Sequence, residues 1–187
     1  EKFDENLIKN LKKIFDKKGR KIYLCDYGGS LGSLYFQHKK LFQNDFIEWN
    51  VLEQKAYVDY ANNRVNISNL NFFSSFENIL NQKKLDVILF SSVLQYLRSP
   101  YEILSKIIDR KIPDIIITRT PFLQNAEKIM IQKVPKHIYK SSYPIRILNL
   151  SKIISLFEDS GYKLNYKNFD KENIDNFDYQ SICFEIK

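Results

Sequence analysis

The residues of this chain best suited to bind a ligand lie in one short turn, Asp26-Tyr27-Gly28-Gly29-Ser30-Leu31-Gly32. The apolar run before it, Ile22 to Cys25, predicts a short buried strand. Three of the chain's five glycines fall in this turn, and glycine lets the backbone bend sharply and approach a ligand without a Cβ in the way. A helix predicted from Ser33 to Phe42 then presents its unpaired N–H groups to that ligand. The turn is therefore predicted to cradle a nucleotide-like molecule.

The spacing of the glycines excludes two common phosphate-binding signatures. The pattern G-x-G-x-x-G fails because Ser30 and Ser33 stand where its later glycines would be, and no Gly-Lys-Ser/Thr of a P-loop follows. An acidic residue, Glu53, follows the second predicted strand, 21 positions after Gly32. A carboxylate at that place can accept hydrogen bonds from both hydroxyls of a ribose. The two features together favour a ligand that has a ribose and lacks a pyrophosphate.

Small and polar residues follow the fourth predicted strand, Asp86 to Phe90, in the segment Ser91-Ser92-Val93-Leu94-Gln95-Tyr96-Leu97. Ligands of open α/β sheets bind at the carboxyl ends of the strands, so Ser91, Ser92 and Gln95 are predicted to face a cleft. An ordinary loop between a strand and the helix that Pro100 opens is the alternative.

Strands and helices alternate along the chain and must position these residues. This alternation predicts an α/β fold with a parallel, doubly wound sheet. An amphipathic helix from Glu5 to Lys17 is expected to cover one face of the sheet, with binding to a membrane surface as the alternative. The other predicted helices are 55–62, 76–81, 101–110 and 151–160, and the other predicted strands are 47–52, 70–73, 115–117, 162–169 and 179–186.

The alternation stops between Phe122 and Leu148, a segment with two prolines, Pro135 and Pro144, and two tyrosines, Tyr139 and Tyr143. Residues 119–148 carry a net charge of +5 out of +7 for the whole chain. This segment is predicted to be an insert on the substrate side that attracts an anion, with Arg119 and Arg146 as bidentate partners of a phosphoryl group. A basic solvated surface is the alternative.

Length and composition favour one domain, residues 1–187, whose hydrophobic core is large enough to be stable without disulfides or a structural metal. No apolar run approaches 18 residues and no signal peptide is recognised, which leads us to expect a cytoplasmic protein without a membrane span. Cys25 and Cys183 lie in predicted core strands and are expected to be small buried side chains. Neither has the spacing of metal ligands, so no metal site is predicted.

The turn Asp26-x-Gly28-Gly29-x-x-Gly32 after the first strand, with Glu53 after the second, resembles the class I S-adenosylmethionine-dependent methyltransferases. Six segments form a narrower set: Asp26–Gln37, Trp49–Gln54, Ser91–Leu97, Arg119–Phe122, Gln132–Pro135 and Ser142–Pro144. This set resembles a small bacterial family described as methyltransferases, whose members accompany capsule and O-antigen genes. The resemblance covers most of the chain from Tyr23 to the final strand.

The resemblance implies a Rossmann-like sheet of seven strands, mostly parallel with an antiparallel last strand, an N-terminal covering helix within residues 1–18 and an insert at 122–148 after strand 5. It also implies S-adenosylmethionine as cofactor and S-adenosylhomocysteine as product. The cofactor residues would be Asp26, Gly28, Gly29, Ser30, Gly32, Glu53, Gln54, Ser74, Ser91, Ser92 and Gln95. The substrate residues would be Tyr35, Tyr96, Arg119, Gln132, Tyr143 and Arg146.

Methyl transfer from a sulfonium needs a positioned acceptor and, for a neutral hydroxyl, a base. Gln95 cannot act as a base, and His137 is the candidate if one is used, with a solvated histidine as the alternative. We therefore expect O-methylation of an anionic, phosphorylated, phosphoramidate or nucleotide-linked precursor of a surface glycan. A nucleic-acid methyltransferase, suggested by the pI of about 9.2, and a non-catalytic binding module are the alternatives. The choice between monomer and homodimer stays open.

Overall fold

The computed structural model describes residues 4–41, 46–134, 136–138, 140–174 and 177–187. They group into two compact units, Glu1–Ser91 with Ile112–Ile116, and Ser92–Lys111 with Ile117–Lys187. Whether they form the single domain expected from the sequence stays a prediction. The predicted helix end at Phe42, the insert residues Pro135 and Tyr139, and residues 1–3 lie outside the described residues.

The first unit contains a parallel sheet built from strands that follow one another through helices. Its strands are β1 (Ile22–Tyr27), β2 (Ile47–Leu52), β3 (Leu70–Phe73), β4 (Val87–Ser91) and the start of β5 (Asp114–Leu123), and its helices are α1 (Glu5–Lys18), α2 (Ser33–His38), α3 (Lys55–Asn62) and α4 (Phe76–Gln82). The strand order is β3-β2-β1-β4-β5, and β1 runs parallel to both β2 and β4. The order moves outward from β1 in both directions, which confirms the doubly wound arrangement.

Local sequence explains why the elements of this unit form where they do. The side chain of Asp4 accepts a hydrogen bond from the backbone N–H of Leu7 at 2.9 Å and caps α1, while Gly19 ends the helix in the left-handed region at φ 61°. The apolar stripe of α1 is buried, as are all six residues of β2. A strand that is buried along its whole length is typical of a parallel sheet covered on both faces.

An ion pair between a half-exposed arginine and a buried carboxylate joins the amino ends of β1 and β4. Both guanidinium nitrogens of Arg20 donate to the carboxylate of Asp86, at 2.7 and 2.9 Å, and the backbone N–H of Tyr23 adds a third bond at 3.0 Å. Asp86 is only 2% exposed. Burial raises the pKa of Asp86, but the hydrogen bonds from Arg20 and Tyr23 outweigh it and leave the pKa lowered.

The second unit contains the remainder of β5 together with α5 (Pro100–Asp109), β6 (Lys128–Lys133), β7 (Ser142–Asn149), α6 (Leu150–Glu158), β8 (Tyr162–Ile174) and β9 (Phe177–Ile186). The end of β5 pairs in parallel with β7 at Phe122 opposite Leu148. β6 and β7 form an antiparallel hairpin, and β9 pairs with β5 and antiparallel with β8. The predicted antiparallel pair of late strands is confirmed.

The segment 122–148 differs from the expectation because it contains regular strands. β5 extends to Leu123, far beyond its predicted end at Ile117, and β6 and β7 add two strands, so the described sheet has nine strands where seven were expected. The buried residues Ile145 and Ile147 lie on either side of the less buried Arg146, as expected of a strand with one buried face. Pro144 interrupts this pattern and conceals it in the sequence. No helix of the described residues is long and apolar enough to cross a membrane.

Candidate functional site

Four residues singled out from the sequence lie on one row at the carboxyl edge of the first unit's sheet. Tyr27 is opposite Leu52 and Phe90, and Leu52 is opposite Phe73. The next residue of each strand therefore continues the row, in the spatial order Ser74, Glu53, Gly28, Ser91. Hydrogen bonds from Gly28 N to Leu52 O at 2.8 Å and from Glu53 N to Phe73 O at 3.0 Å hold the row together. This row crosses the switch point between β1 and β4, where doubly wound sheets bind ligands.

Three residues of the glycine turn have left-handed backbone, a conformation that favours glycine. Gly28 and Gly32 lie at φ 72° and 79°, and Ser30, between them, lies at φ 54°. A left-handed serine costs about 1 kcal/mol, and such strain collects at ligand-binding sites. Gly32 also begins α2, because its carbonyl accepts the N–H of Phe36 at 3.0 Å. A Cβ on Gly32 would lie 3.2 Å from the side chain of Leu70.

Gly29 is needed for a different reason, since the turn passes directly over the carboxylate of Asp26. A Cβ on Gly29 would lie 2.5 Å from Oδ2 and 2.6 Å from Cγ of Asp26. The carboxylate is 1% exposed, and Oδ2 accepts a hydrogen bond from the indole N–H of Trp49 at 2.9 Å. Oδ1 is buried and has no hydrogen-bond partner. The turn therefore encloses a carboxylate oxygen that can still accept a hydrogen bond.

The electrostatics of Asp26 follow from this enclosure. Burial raises its pKa to about 7, the hydrogen bond from Trp49 opposes the rise, and the negative charge of Glu53 adds to it. A buried carboxylate without full hydrogen bonding is unfavourable as an anion. A cationic or N–H donor that reached Oδ1 would stabilise the ionised form. Cys25, the preceding residue, is buried as predicted, and burial raises the pKa of its thiol.

The side chains on either side of the row are positioned by β2 and α2. Glu53 is half-buried, and its Oε2 accepts the backbone N–H of Gln54 at 2.6 Å, while the side chain of Gln54 is exposed. The ring of Tyr35 packs edge-on against Trp49, with centroids 6.2 Å apart. Tyr35, predicted to bind substrate, thus contacts the indole that holds Asp26. Ser74 is exposed at the end of β3.

In the second unit, the side chain of Gln95 forms hydrogen bonds to two residues with strained backbone. Ser92 and Arg119 lie at φ 54° and 51°, and Ser92 N donates to Thr118 O at 3.0 Å. Gln95 Nε2 donates to Ser92 Oγ at 3.0 Å and to Arg119 O at 3.3 Å. Gln95 is 2% exposed, and its Oε1 has no hydrogen-bond partner. The side-chain oxygen of a predicted cofactor residue thus remains able to accept a hydrogen bond.

Three predicted substrate residues of this unit meet in one cluster. The hydroxyl of Tyr96 donates to Gln132 Oε1 at 2.9 Å, and its ring lies edge-on to Tyr143 with centroids 5.5 Å apart. Gln132 and Tyr143 are opposite each other in the hairpin of β6 and β7. Burial and the neighbouring phenols, Tyr143 first, raise the pKa of Tyr96 to about 12. Tyr96 is therefore a hydrogen-bond donor at neutral pH and does not act as a base.

Arg146 is engaged within the protein. Its guanidinium pairs with Glu127 and donates to Arg98 O at 3.3 Å, and Tyr101 also donates to Glu127 at 2.6 Å. Burial raises the pKa of Glu127, but the bonds from Tyr101 and Arg146 outweigh it and leave the pKa lowered. The side chain of Arg119 is exposed, and His137 lies in the exposed turn 136–138. The surroundings of His137 are those of a solvated histidine.

Two contacts could not be read from the sequence. Trp49 is the chain's only tryptophan, but its bond to Asp26 depends on the register of β1 against β2. His38 is buried, accepts Asp4 N at Nε2 and lies 2.8 Å from Leu34 O at Nδ1, an arrangement that fits the neutral ring protonated at Nδ1 and ties α1 to α2. Among the described residues, no group of three or more His, Cys, Asp and Glu side chains could hold a metal ion.

No family model matches the sequence, and no curated protein matches it. Solved structures do resemble the chain. One is magnesium protoporphyrin IX methyltransferase from Synechocystis PCC 6803 with bound SAM, at 13% identity and TM-score 0.63, over 98% of this chain and 77% of that one. Another is the N-terminal domain of EvdMO1 in the presence of SAH and D-fucose, at 13% identity and TM-score 0.63, over 96% and 82%.

A third similar structure is the glycopeptide N-methyltransferase MtfA complexed with sinefungin, at 10% identity and TM-score 0.63, over 96% of this chain and 86% of that one. A structure described as a pericyclic reaction enzyme matches at 13% identity and TM-score 0.61, over 95% and 47%. Similarity at these identities establishes the fold and leaves the reaction to be argued from the site. The chain has the α/β fold of these methyltransferases.

Proposed function

We propose that this protein is a methyltransferase that uses S-adenosylmethionine. The observation that carries the proposal is the packing of Gly29 over Asp26, which leaves no room for a Cβ and leaves Oδ1 of a buried carboxylate able to accept a hydrogen bond. The ionised form of this carboxylate would repel a pyrophosphate. A molecule with an ammonium group, a ribose and no phosphate suits the same turn.

The residues of this site are of the chemical types that can bind this cofactor. Glu53, on the same row as Gly28, would accept the ribose hydroxyls, and Asp26 Oδ1 would accept a donor from the amino acid part. Gly28, Gly29, Ser30 and Gly32 would line the turn by their backbone, and Gln54 and Ser74 would flank Glu53. The assignments of Ser91, Ser92 and Gln95 to the same cofactor rest on the resemblance of their segment to class I methyltransferases.

When bound, the sulfonium supplies a methyl group that an acceptor atom takes by in-line displacement. The chain's own part is to orient the acceptor and exclude water. Tyr96 stays protonated, and its hydroxyl would donate to an acceptor oxygen by exchanging its present partner, Gln132 Oε1. An acceptor already ionised at neutral pH requires no base, in keeping with an amide at Gln95 and with the solvated position of His137.

The acceptor we propose is an anionic precursor of a surface glycan, phosphorylated, phosphoramidate or nucleotide-linked, methylated on oxygen in the cytoplasm of a bacterium. Residues 128–149 contain five basic residues and no acidic one, which supports an anionic acceptor. Arg119 and Arg146 are the phosphoryl ligands in this proposal, and Arg146 would share its guanidinium between the acceptor and Glu127. Tyr96, Gln132 and Tyr143 would contact the rest of the acceptor.

Isothermal titration with S-adenosylhomocysteine tests the cofactor site. Wild type should bind it, Glu53→Ala should lose at least about tenfold in affinity, and Gly29→Ala should lose more, because its new Cβ pushes on Asp26. Gly19→Ala, at the left-handed glycine that ends α1, controls for a destabilising glycine change outside the turn. A wild-type protein that does not bind the compound would refute the proposal. A screen of anionic acceptors with Arg119→Ala as comparison then tests the substrate class.

A further inference from the structure

The hairpin of β6 and β7 exposes an unusual set of aliphatic side chains. Ile129 is 58% exposed, Ile131 is 63% exposed and Ile138, in the turn between the strands, is 60% exposed. Among the described residues, the other exposed large hydrophobic side chains are aromatic, and each of them is less exposed than these isoleucines. Exposed isoleucines grouped in one short segment are typical of a binding surface.

The strand alternation places two of these isoleucines on one face. Ile129 and Ile131 are two residues apart in β6 and therefore point the same way. Gln132, of the opposite parity, bonds Tyr96, and Ile145 and Ile147 of β7 are buried. The isoleucines thus lie on the face turned away from the tyrosine cluster. β6 pairs with β7 alone and ends the strand order.

Positive charge surrounds this apolar face. Lys128, Lys133, Lys136 and Lys140 are exposed, and no acidic residue occurs from Lys128 to Asn149. Apolar side chains among lysines complement a surface that has an apolar interior and anionic head groups. Two copies of the hairpin would repel each other, and a nucleic acid would be held by exposed aromatic rings rather than by isoleucines.

We infer that this hairpin docks on an anionic phospholipid membrane, with the three isoleucines entering the head-group boundary and the lysines contacting lipid phosphates. We name this surface, formed by Ile129, Ile131, Lys133 and Ile138, the lysine–isoleucine face. The docking is peripheral and reversible. It does not rest on the proposed methyl transfer, because Ile129, Ile131, Lys133 and Ile138 are not assigned to the cofactor or the acceptor. Arg146, which is so assigned, lies opposite Ile129 and is left unchanged in every test.

Co-sedimentation with lipid vesicles tests the inference. The protein should bind phosphatidylcholine vesicles that contain about one-third phosphatidylglycerol, should not bind pure phosphatidylcholine vesicles, and should dissociate at about 0.5 M salt. The double variant Lys133→Glu/Lys136→Glu should weaken binding by about 25-fold or more, since each lysine near an anionic surface contributes about fivefold. Lys39→Glu/Lys40→Glu is the matched charge control and should bind nearly as wild type does.

Ile129→Asn/Ile131→Asn should weaken vesicle binding at least about tenfold, while Tyr57→Asn/Tyr60→Asn, at exposed aromatic side chains of α3, should not. Thermal unfolding checks that each variant folds. In a second measurement, a polarity-sensitive dye on Ile131→Cys should shift to the blue with anionic vesicles, whereas the same dye on Tyr57→Cys should not. Both native cysteines are buried, which favours labelling of the new thiol.

Failure of the wild type to bind anionic vesicles would overturn the inference, as would equal binding by the isoleucine variant. Complete displacement by free glycerol phosphate would also overturn it, because the face would then bind a soluble phosphate. Light scattering that shows a dimer lost in Ile129→Asn/Ile131→Asn would assign the face to a second copy instead. None of these results depends on cofactor binding.

Discussion

Asp26 predicts an unusual pH dependence of folding stability for the protein without ligand. Its pKa rises from an ordinary value of 3.8 to about 7 in the folded state, through burial first. Between these two values the folded chain holds a proton that the unfolded chain has released, so the free energy of unfolding falls as pH rises. A shift of this size corresponds to about 4 kcal/mol, lost progressively between about pH 4 and pH 7.

Urea unfolding from pH 4 to pH 8 measures this loss directly. Asp26→Asn should abolish this contribution, since the amide does not titrate. The amide leaves a buried N–H₂ without a partner at the position of Oδ1, which costs about 1–3 kcal/mol at pH 4. The variant should therefore be less stable than wild type at pH 4 and equal or more stable at pH 8. Asp59→Asn, at an exposed carboxylate, is the control.

Equal slopes for wild type and Asp26→Asn between pH 4 and pH 7 would refute the reasoning. The lowered pKa of Asp86 does not mask this loss of stability. Asp86 changes the free energy of unfolding below about pH 4, and there the free energy of unfolding rises with pH. The ionised form of Asp86 is favoured by folding, so its stabilisation is present above about pH 4 and is lost only as pH falls further. The two acids therefore separate in the pH profile.

The other predictions concern residues that hold or flank the site. Arg20→Ala should lower the free energy of unfolding by about 2 kcal/mol in urea, because Asp86 stays buried with a partner removed; a change no larger than that of the surface variant Arg64→Ala would argue against it. Tyr96→Phe should raise KM for the acceptor severalfold and leave S-adenosylhomocysteine affinity intact; an unchanged KM would remove the acceptor role. Gln95→Leu should lower kcat/KM at least about tenfold through the loss of both hydrogen bonds, whereas wild-type kinetics would show that Gln95 is not needed.

Much of the first unit could be predicted because its signals are local. The strand at Ile47–Leu52, the helix at Lys55–Asn62 and the strand at Leu70–Phe73 have the predicted bounds. Apolar runs bounded by polar turns define these elements without knowledge of the fold. The sequence predicts Glu53 at the end of the second strand, and the register of β1 against β2 puts that strand end level with the start of the glycine turn.

The remaining features depend on contacts between distant residues. The need for glycine at position 29 arises from Asp26 below it, and the bond from Trp49 arises from strand register, neither of which a local pattern contains. Ser92 and Arg119 adopt left-handed backbone without being glycine, so no composition rule signals them. The extension of β5 to Leu123 was missed because Pro121 is typical of a strand end.

A crystal structure with S-adenosylhomocysteine tests the assignment of the cofactor site. The ribose hydroxyls should lie within hydrogen-bond distance of Glu53, and the amino acid part should lie over the turn from Gly28 to Gly32. The compound bound elsewhere, or a dinucleotide held over this turn in its place, would show that this turn is not a site for S-adenosylmethionine.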